Sequence, residues 1–252
     1  MLESNSDKRG GIRILGLTLA RGGSKSVPRK NIKPIVGIPL IAYTIAEALR
    51  SQWLTRYIVS TDDAEIQQVA LEYGAESPFL RPEEFSTDTA SSVAAMQHAV
   101  NWVEDQEGVQ YDYVVELMCT NPMKTVEDID ASIEKLVETN ADSVIAVHRL
   151  EDHHPLRIKK IVDDKIMDFC LSEVPESRRQ DLKPDAYIRS GSIYALKRDH
   201  LMVDGKRYGS DDSRPYILLE EKAVNIDTEI DFLIAESMLN KKPRTYIHPH
   251  NE

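Results

Sequence analysis

The sequence predicts an α/β fold: a mostly parallel sheet flanked by helices, with a small insertion in its second half. Three observations predict it. Short apolar runs of strand character alternate with segments of helical periodicity as far as Val147. Helix-start signals follow several of those runs directly, as in Thr61-Asp62-Asp63 and Thr125-x-x-Asp128. The chain has 252 residues, which suits one large domain or a main domain carrying a modest insertion.

Each element has its own reason. Ile12 to Leu19 is a continuous apolar run and reads as a buried strand, followed by a loop from Ala20 to Asn31. Pro39 to Arg50 reads as a helix with Ile41, Ile45, Ala48 and Leu49 on one face. Tyr57 to Ser60 is a short strand that runs into the Thr61-Asp62-Asp63 cap cluster and a helix to Tyr73. Val93, Met96, Val100 and Val103 recur at steps of three and four and mark another helix. Tyr113 to Met118 is a strand, and the capping box at Thr125 opens a helix carrying Ile129, Ile133, Leu136 and Val137. Ser143 to Val147 is a further strand.

The polar, proline-bearing stretch 148–186 (Pro155, Pro175, Pro184) reads as an insertion, a candidate oligomer arm. Strand-like runs return at Tyr187 to Leu196 and Tyr216 to Ile226, and the last helix opens near Thr228 with Asp231 three residues on. Residues 1–10 read as a flexible tail and 11–252 as a single domain.

Composition narrows the function. A net charge of -11 disfavours nucleic-acid binding, which depends on a basic surface, but leaves room for a small basic pocket. Cys119 and Cys170 form no CxxC pair, so neither a zinc site nor a disulfide framework is expected. The polar start and the absence of any apolar run near the ~20 residues of a membrane span lead us to expect a soluble, cytoplasmic protein with no membrane partner.

In a parallel sheet, ligands bind beyond the carboxyl ends of the strands. The segment 19–31, Leu-Ala-Arg-Gly-Gly-Ser-Lys-Ser-Val-Pro-Arg-Lys-Asn, lies at such a place. Gly22 and Gly23 let the backbone approach a ligand closely. Arg21, Lys25, Arg29 and Lys30 concentrate positive charge there, which suits a triphosphate. The segment matches neither a P-loop nor a GxGxxG fingerprint. The competing reading is a basic surface turn.

Other stretches add to this one. Leu80-Arg81-Pro82 precedes Ser86-Thr87-Asp88-Thr89-Ala90-Ser91-Ser92, which pairs a cation with hydroxyls ahead of a helix; the alternative is that Asp88 and Ser91 only cap that helix. His153-His154-Pro155-Leu156-Arg157 contains adjacent histidines that point to opposite sides of a strand, so shared metal ligation is not expected. Asn225 and Asp227 share a side at a strand-to-helix junction and offer oxygens to a hard cation. Asp62, also at a strand end, is better read as a cap.

Together, LARGGSKSVPRKN, LRP…STDTASS, the 118–124 segment Met-Cys-Thr-Asn-Pro-Met-Lys, HHPLR, RSGSIY and NIDT resemble the CMP–sialic acid synthetases (acylneuraminate cytidylyltransferases), relatives of the Kdo cytidylyltransferases. The likeness spans roughly Ile12 to Leu239. It implies a Rossmann-like nucleotidyltransferase fold and transfer of CMP from CTP to an acidic nine-carbon sugar, with Mg2+ or Mn2+ as cofactor. It also implies a homodimer formed through the insertion.

By that resemblance Leu19 and Ala20 line the base pocket, and Arg21, Gly23, Ser24, Lys25 and Asn31 hold the nucleotide. Arg21, Lys25 and Lys30 act in catalysis, while Arg81, Ser86 and Asp88 complete the nucleotide site. Thr120, Lys124, Arg157, Arg189, Ser190 and Tyr194 belong to the sugar site, and Asp227 and Asn225 to the metal. Two departures stand out. Met118 replaces a glutamine and Asn225 an aspartate. A sugar-1-phosphate nucleotidyltransferase using another nucleotide, or a non-catalytic nucleotide-binding regulator, are the alternatives.

Overall fold

The computed structural model describes residues 11–24, 26–150, 153–172 and 178–250. The expected tail, residues 1–10, lies outside them, as does Lys25. Strand β1 (Ile14–Leu19) is followed by the short pair β2 (Pro34–Ile35) and β3 (Ile38–Pro39), helix α1 (Leu40–Arg50), β4 (Arg56–Ser60) and α2 (Ala64–Glu72). Then come α3 (Ser92–Glu107), β5 (Tyr113–Leu117), α4 (Val126–Thr139) and β6 (Ser143–Leu150). The remainder is β7 (Lys159–Val162), β8 (Lys165–Asp168), β9 (Ala186–Lys197), α5 (Arg198–Met202), β10 (Ser213–Ile217) and α6 (Glu229–Lys241).

The main sheet has the order β10-β6-β9-β5-β1-β4. β1 pairs in parallel with β4 and β5, β10 in parallel with β6, and β9 runs antiparallel between β5 and β6. Alternation along β1 sends Ile14 to one face and Leu15 and Leu17 to the other. α1, α2 and α4 cover the first face through Ile41, Ile45, Ile66, Ile129 and Ile133. α3 and α5 cover the second through Met96, Val100, Val103 and Leu201. Each such side chain removed from water stabilises the fold by ~1.5–3 kcal/mol before entropy is counted.

The capping boxes expected at Thr125 and Thr228 are both present. The cap of α2 is Asp63, whose side chain accepts from the Glu65 and Ile66 amides. Asp62, expected to cap, instead accepts from the Gly22 amide at 3.1 Å. The run 216–226 is strand only to Ile217; it then turns through a 3-10 segment, Glu220–Lys222, before α6.

Among the described residues of the insertion, β pairing joins two pairs of segments. β6 and β9 extend beyond the sheet as a ribbon, from His148–Ile188 to Leu150–Ala186, and β7 and β8 form a hairpin. No helix among the described residues is long and apolar enough to cross a membrane.

Candidate active site

The carboxyl ends of β1, β4 and β5 lie side by side because those strands are parallel, so the loops after them converge. They enclose a cavity of about 550 Å3 lined by Leu19, Arg21, Ser24, Lys30, Asn31, Arg81, Ser86, Asp88, Thr120 and Asp227 among others. These residues come from positions 19 to 227, yet the fold brings them into one cleft.

The loop after β1 is held from several sides. The Ala20 amide still donates to Ser60 at 3.0 Å, so the departure from the sheet begins at Arg21. A Cβ at Gly22 would meet Asp63 Oδ2 at 2.5 Å, a contact only glycine avoids. Buried Asn31 donates to the Arg21 carbonyl at 2.9 Å and accepts from Cys119 Sγ at 3.2 Å. Lys30 Nζ donates to the Ile226 carbonyl at 2.8 Å and to Asp227 Oδ1 at 3.2 Å. The loop and the α6 junction are thereby tied across the cavity.

Arg81 is buried beneath the same cavity. It donates to Ser86 Oγ at 3.0 Å and to the Ser60 carbonyl at 3.3 Å, and faces Asp62 at 3.6 Å. Burial lowers its pKa, and Asp62 opposes that fall. Arg29 points elsewhere: it pairs with Asp63 and Glu65, and its hydrogen bond to Asp63 raises its pKa.

A second cavity of about 380 Å3 adjoins the first. It is lined by Met118, His148, Ile188, Arg189, Ser190, Gly191, Tyr194, Arg207, Ala223 and Asn225. Met118 lines both. Arg189 lies over the Tyr208 ring at 4.2 Å, and Arg207 over the Tyr194 ring at 3.7 Å.

Residues 15–225, most of the chain and both cavities' strands, match the family described as Cytidylyltransferase. The chain belongs to the cytidylyltransferase family. It is 38% identical over 176 residues to a pseudaminic acid cytidylyltransferase of Campylobacter jejuni, covering 69% of this chain and 74% of that one. It is 32% identical over 234 residues to the CMP-N,N'-diacetyllegionaminic acid synthase of Legionella pneumophila, covering 90% and 97%. A solved structure of CMP:2-keto-3-deoxy-manno-octonic acid synthetase complexed with CTP shares the fold, with TM-score 0.68, 19% identity and coverage of 91% and 99%.

In this cytidylyltransferase several expected site residues lie elsewhere. Ala20 is fully buried in the core rather than lining a base pocket. Gly23 and Arg157 line neither cavity. Lys124, expected at the sugar, is 1% exposed; its ammonium donates to Thr44 Oγ1 at 2.6 Å, the Met118 carbonyl at 2.7 Å and the Asn121 carbonyl at 2.8 Å. Three acceptors match its three N–H bonds, so it holds the β5 loop from beneath. Ser190 lines the second cavity, but its hydroxyl donates to the Ala146 carbonyl at 3.0 Å. His154 caps a 3-10 turn and its other ring nitrogen meets the Pro184 carbonyl at 2.8 Å, an arrangement unlike a metal ligand's.

The expected metal pair is joined by a hydrogen bond. Asn225 donates from its amide Nδ2 to Asp227 Oδ2 at 2.6 Å, so the amide nitrogen faces the carboxylate. Its Oδ1 is buried without a hydrogen-bond partner among the described residues and lies where a Cβ at Gly191 would approach to 3.2 Å. Among the described residues no group of three or more His, Cys, Asp or Glu is placed to hold a metal. Asp227, which lines the cavity at this junction, still fits Mg2+ as its one protein carboxylate, because that ion retains waters and takes phosphate oxygens from the substrate.

Glu116, His148 and Arg207 line the cavities but belong to none of the motifs. Glu116 stands out in the apolar run Tyr-Val-Val-Glu-Leu and could have been flagged there. Arg207 sits in a polar stretch that carries no pattern, and no sequence signal would have found it.

Proposed function

We propose that the chain transfers CMP from CTP to the anomeric hydroxyl of a nonulosonic (sialic-type) sugar acid and releases pyrophosphate. The observation that carries this reading is the pair of cavities meeting at Met118: one ringed by the cationic loop after β1, the other holding Arg189. The pseudaminic and legionaminic names of the relatives support the same acceptor class.

Arg189 has no carboxylate partner among the described residues, while Arg207 is neutralised by Glu116 at 2.5 Å. The acceptor cavity therefore carries one uncompensated positive charge, which suits a monocarboxylate better than the dianion of a sugar phosphate. This favours a sugar acid over the sugar-1-phosphate alternative.

In the reaction, the C2 hydroxyl oxygen bonds to the α-phosphorus, the bond to the bridging oxygen breaks, and the hydroxyl proton passes to solvent. Arg21 and Lys30, with Lys25 by family resemblance, offset charge on the phosphates. Thr120 offers a buried hydroxyl at the cavity wall with no hydrogen-bond partner among the described residues. Asp227 would hold Mg2+ or Mn2+, which supplies Lewis-acid charge to the phosphate oxygens when bound. The two free thiols, one buried and one exposed, suit a reducing cytoplasm.

The working form we infer is a homodimer. The β7–β8 hairpin exposes Ile161 (78%), Ile166 (77%) and Phe169 (60%), and Tyr187 and Ile188 are exposed along the ribbon that leads to it. A hairpin is marginal alone, and an apolar surface of this kind calls for cover. Ile188 also lines the second cavity, so a second copy on this ribbon would abut the acceptor site.

The test is incubation with CTP, Mg2+ and a panel of nonulosonic acids, read by mass spectrometry for the CMP-sugar and by pyrophosphate release. A CMP-sugar product is expected. Pyrophosphate release only with UTP or GTP and a sugar phosphate, or CTP binding with no turnover on any acceptor, overturns the proposal.

A further inference from the structure

The wall between the two cavities contains a buried ion pair. Glu116, at the carboxyl end of β5, is 3% exposed and lines the nucleotide cavity. Arg207, from the segment between α5 and β10, lines the other. Arg207 Nε lies 2.5 Å from Glu116 Oε2, its Nη2 lies 3.3 Å from Met118 Sδ, and its guanidinium stacks on Tyr194. Tyr194 stands directly opposite Glu116 across the β5–β9 ladder. Four side chains from three segments thus fix one another at the partition.

Packing gives little reason for this pair. A buried ion pair is often no more stable than apolar residues of the same volume, because both charges lose their water. Burial drives the Glu116 carboxyl pKa up and Arg207 pulls it down, as expected for a carboxylate that depends on its partner. An unpaired Arg207 beside a triphosphate site would attract phosphate. With Glu116 attached, its charge is compensated on the nucleotide side, while the guanidinium keeps further N–H groups and a planar face.

We propose that Arg207 is a specificity-determining residue for the acceptor: held by Glu116, Tyr194 and Met118, it presents a fixed donor edge to the sugar acid. This rests on the acceptor reading above. Arg207 orients the sugar in the second cavity, and Glu116 is a positioning residue that aims it and masks its charge from CTP. Arg189 supplies the uncompensated charge, and Arg207 supplies geometry.

The experiment compares the wild type with Arg207→Met, Arg207→Lys and the double variant Glu116→Gln/Arg207→Met, measuring melting temperature, CTP affinity by calorimetry, and acceptor KM and kcat. Arg207→Met is expected to raise acceptor KM about tenfold or more and, by leaving Glu116 unpaired at the nucleotide cavity, to weaken CTP binding as well, whereas the double variant is expected to raise acceptor KM with CTP affinity within about twofold. Arg207→Lys is not expected to rescue it, since an ammonium lacks the planar fork. The double variant removes both buried charges and should melt at or above the wild-type temperature while keeping the raised acceptor KM. If the double variant regains wild-type acceptor KM, the pair is only structural and the proposal fails. If the wild type itself uses no nonulosonic acid, the acceptor reading fails instead.

Discussion

Arg21 Nη1 donates to Asp88 Oδ1 at 2.7 Å, joining the loop after β1 to the segment ahead of α3 across the nucleotide cavity. A triphosphate entering this cavity competes with Asp88 for the guanidinium. Both side chains are about half exposed, so the pair is worth no more than ~1 kcal/mol. We predict that Asp88→Asn tightens CTP binding by up to about fivefold and that Arg21→Ala weakens it by about tenfold or more. Isothermal titration of CTP decides; weaker binding in Asp88→Asn would show that Asp88 contacts the nucleotide rather than competing with it.

Asn225 donates to Asp227 where relatives by resemblance carry a second carboxylate. Asn225→Asp should replace that donor with charge and lower the Mg2+ concentration for half-maximal activity by about threefold or more. Asp227→Asn should reduce kcat by about a hundredfold or more, if metal charge acts in the transition state. Activity titrated against Mg2+ checks both, and an unchanged Mg2+ requirement in Asn225→Asp would count against a cation at this carboxylate.

How far the sequence reveals this site depends on whether a residue acts locally or across the fold. The loop after β1 was legible because its glycines, cations and position after a strand are all local features. The capping boxes at Thr125 and Thr228 were legible for the same reason. Lys124 was misplaced because its ammonium reaches Thr44 on α1, a partner 80 positions away. Asp62 and Asp63 are adjacent and chemically alike; only the turn geometry decides that Asp63 caps α2 while Asp62 takes the Gly22 amide. The Glu116–Arg207 pair depends on β9 lying between β5 and β6, an antiparallel insertion that periodicity does not reveal.

Lys124 makes stability depend on pH. Burial pulls its pKa down from 10.5 to about 7. The unfolded chain therefore binds more protons than the folded one between about pH 7 and 10, and stability rises with pH through that window. The slope is at most ~1.4 kcal/mol per pH unit for one proton, and acceptors on the ammonium act by holding its folded-state pKa up, which narrows the window. We predict that Lys124→Met loses this rise between pH 7 and 9 relative to the wild type. Urea unfolding at the two pH values measures it; parallel pH dependence in both proteins would refute the assignment.

Arg189 lies over Tyr208 in the acceptor cavity without a carboxylate partner among the described residues. A charged hydrogen bond to the sugar carboxylate is worth ~1.5–3 kcal/mol, so Arg189→Ala should raise acceptor KM by about ten- to a hundredfold. Arg189→Lys should recover only part of this, because one ammonium cannot replace a two-pronged contact. CTP affinity should stay within about twofold, since Arg189 is outside the nucleotide cavity. Steady-state kinetics with each substrate varied in turn separates the outcomes; a CTP defect equal to the acceptor defect would point to general damage.

The hairpin provides the last prediction. Ile161 and Ile166 face each other across β7 and β8, and both are more than three-quarters exposed. Side chains so exposed contribute little to the protomer's own core, so polar replacement should leave the melting of an isolated protomer nearly unchanged. In a dimer built on this hairpin the same replacement buries charge against an apolar partner, at a cost of several kcal/mol. We therefore expect Ile161→Asp/Ile166→Asp to shift the sedimentation of the protein from two copies to one, and to reduce acceptor turnover if the second copy abuts Ile188. Analytical ultracentrifugation gives the answer, because a dimer that survives both substitutions must be held together by some other surface.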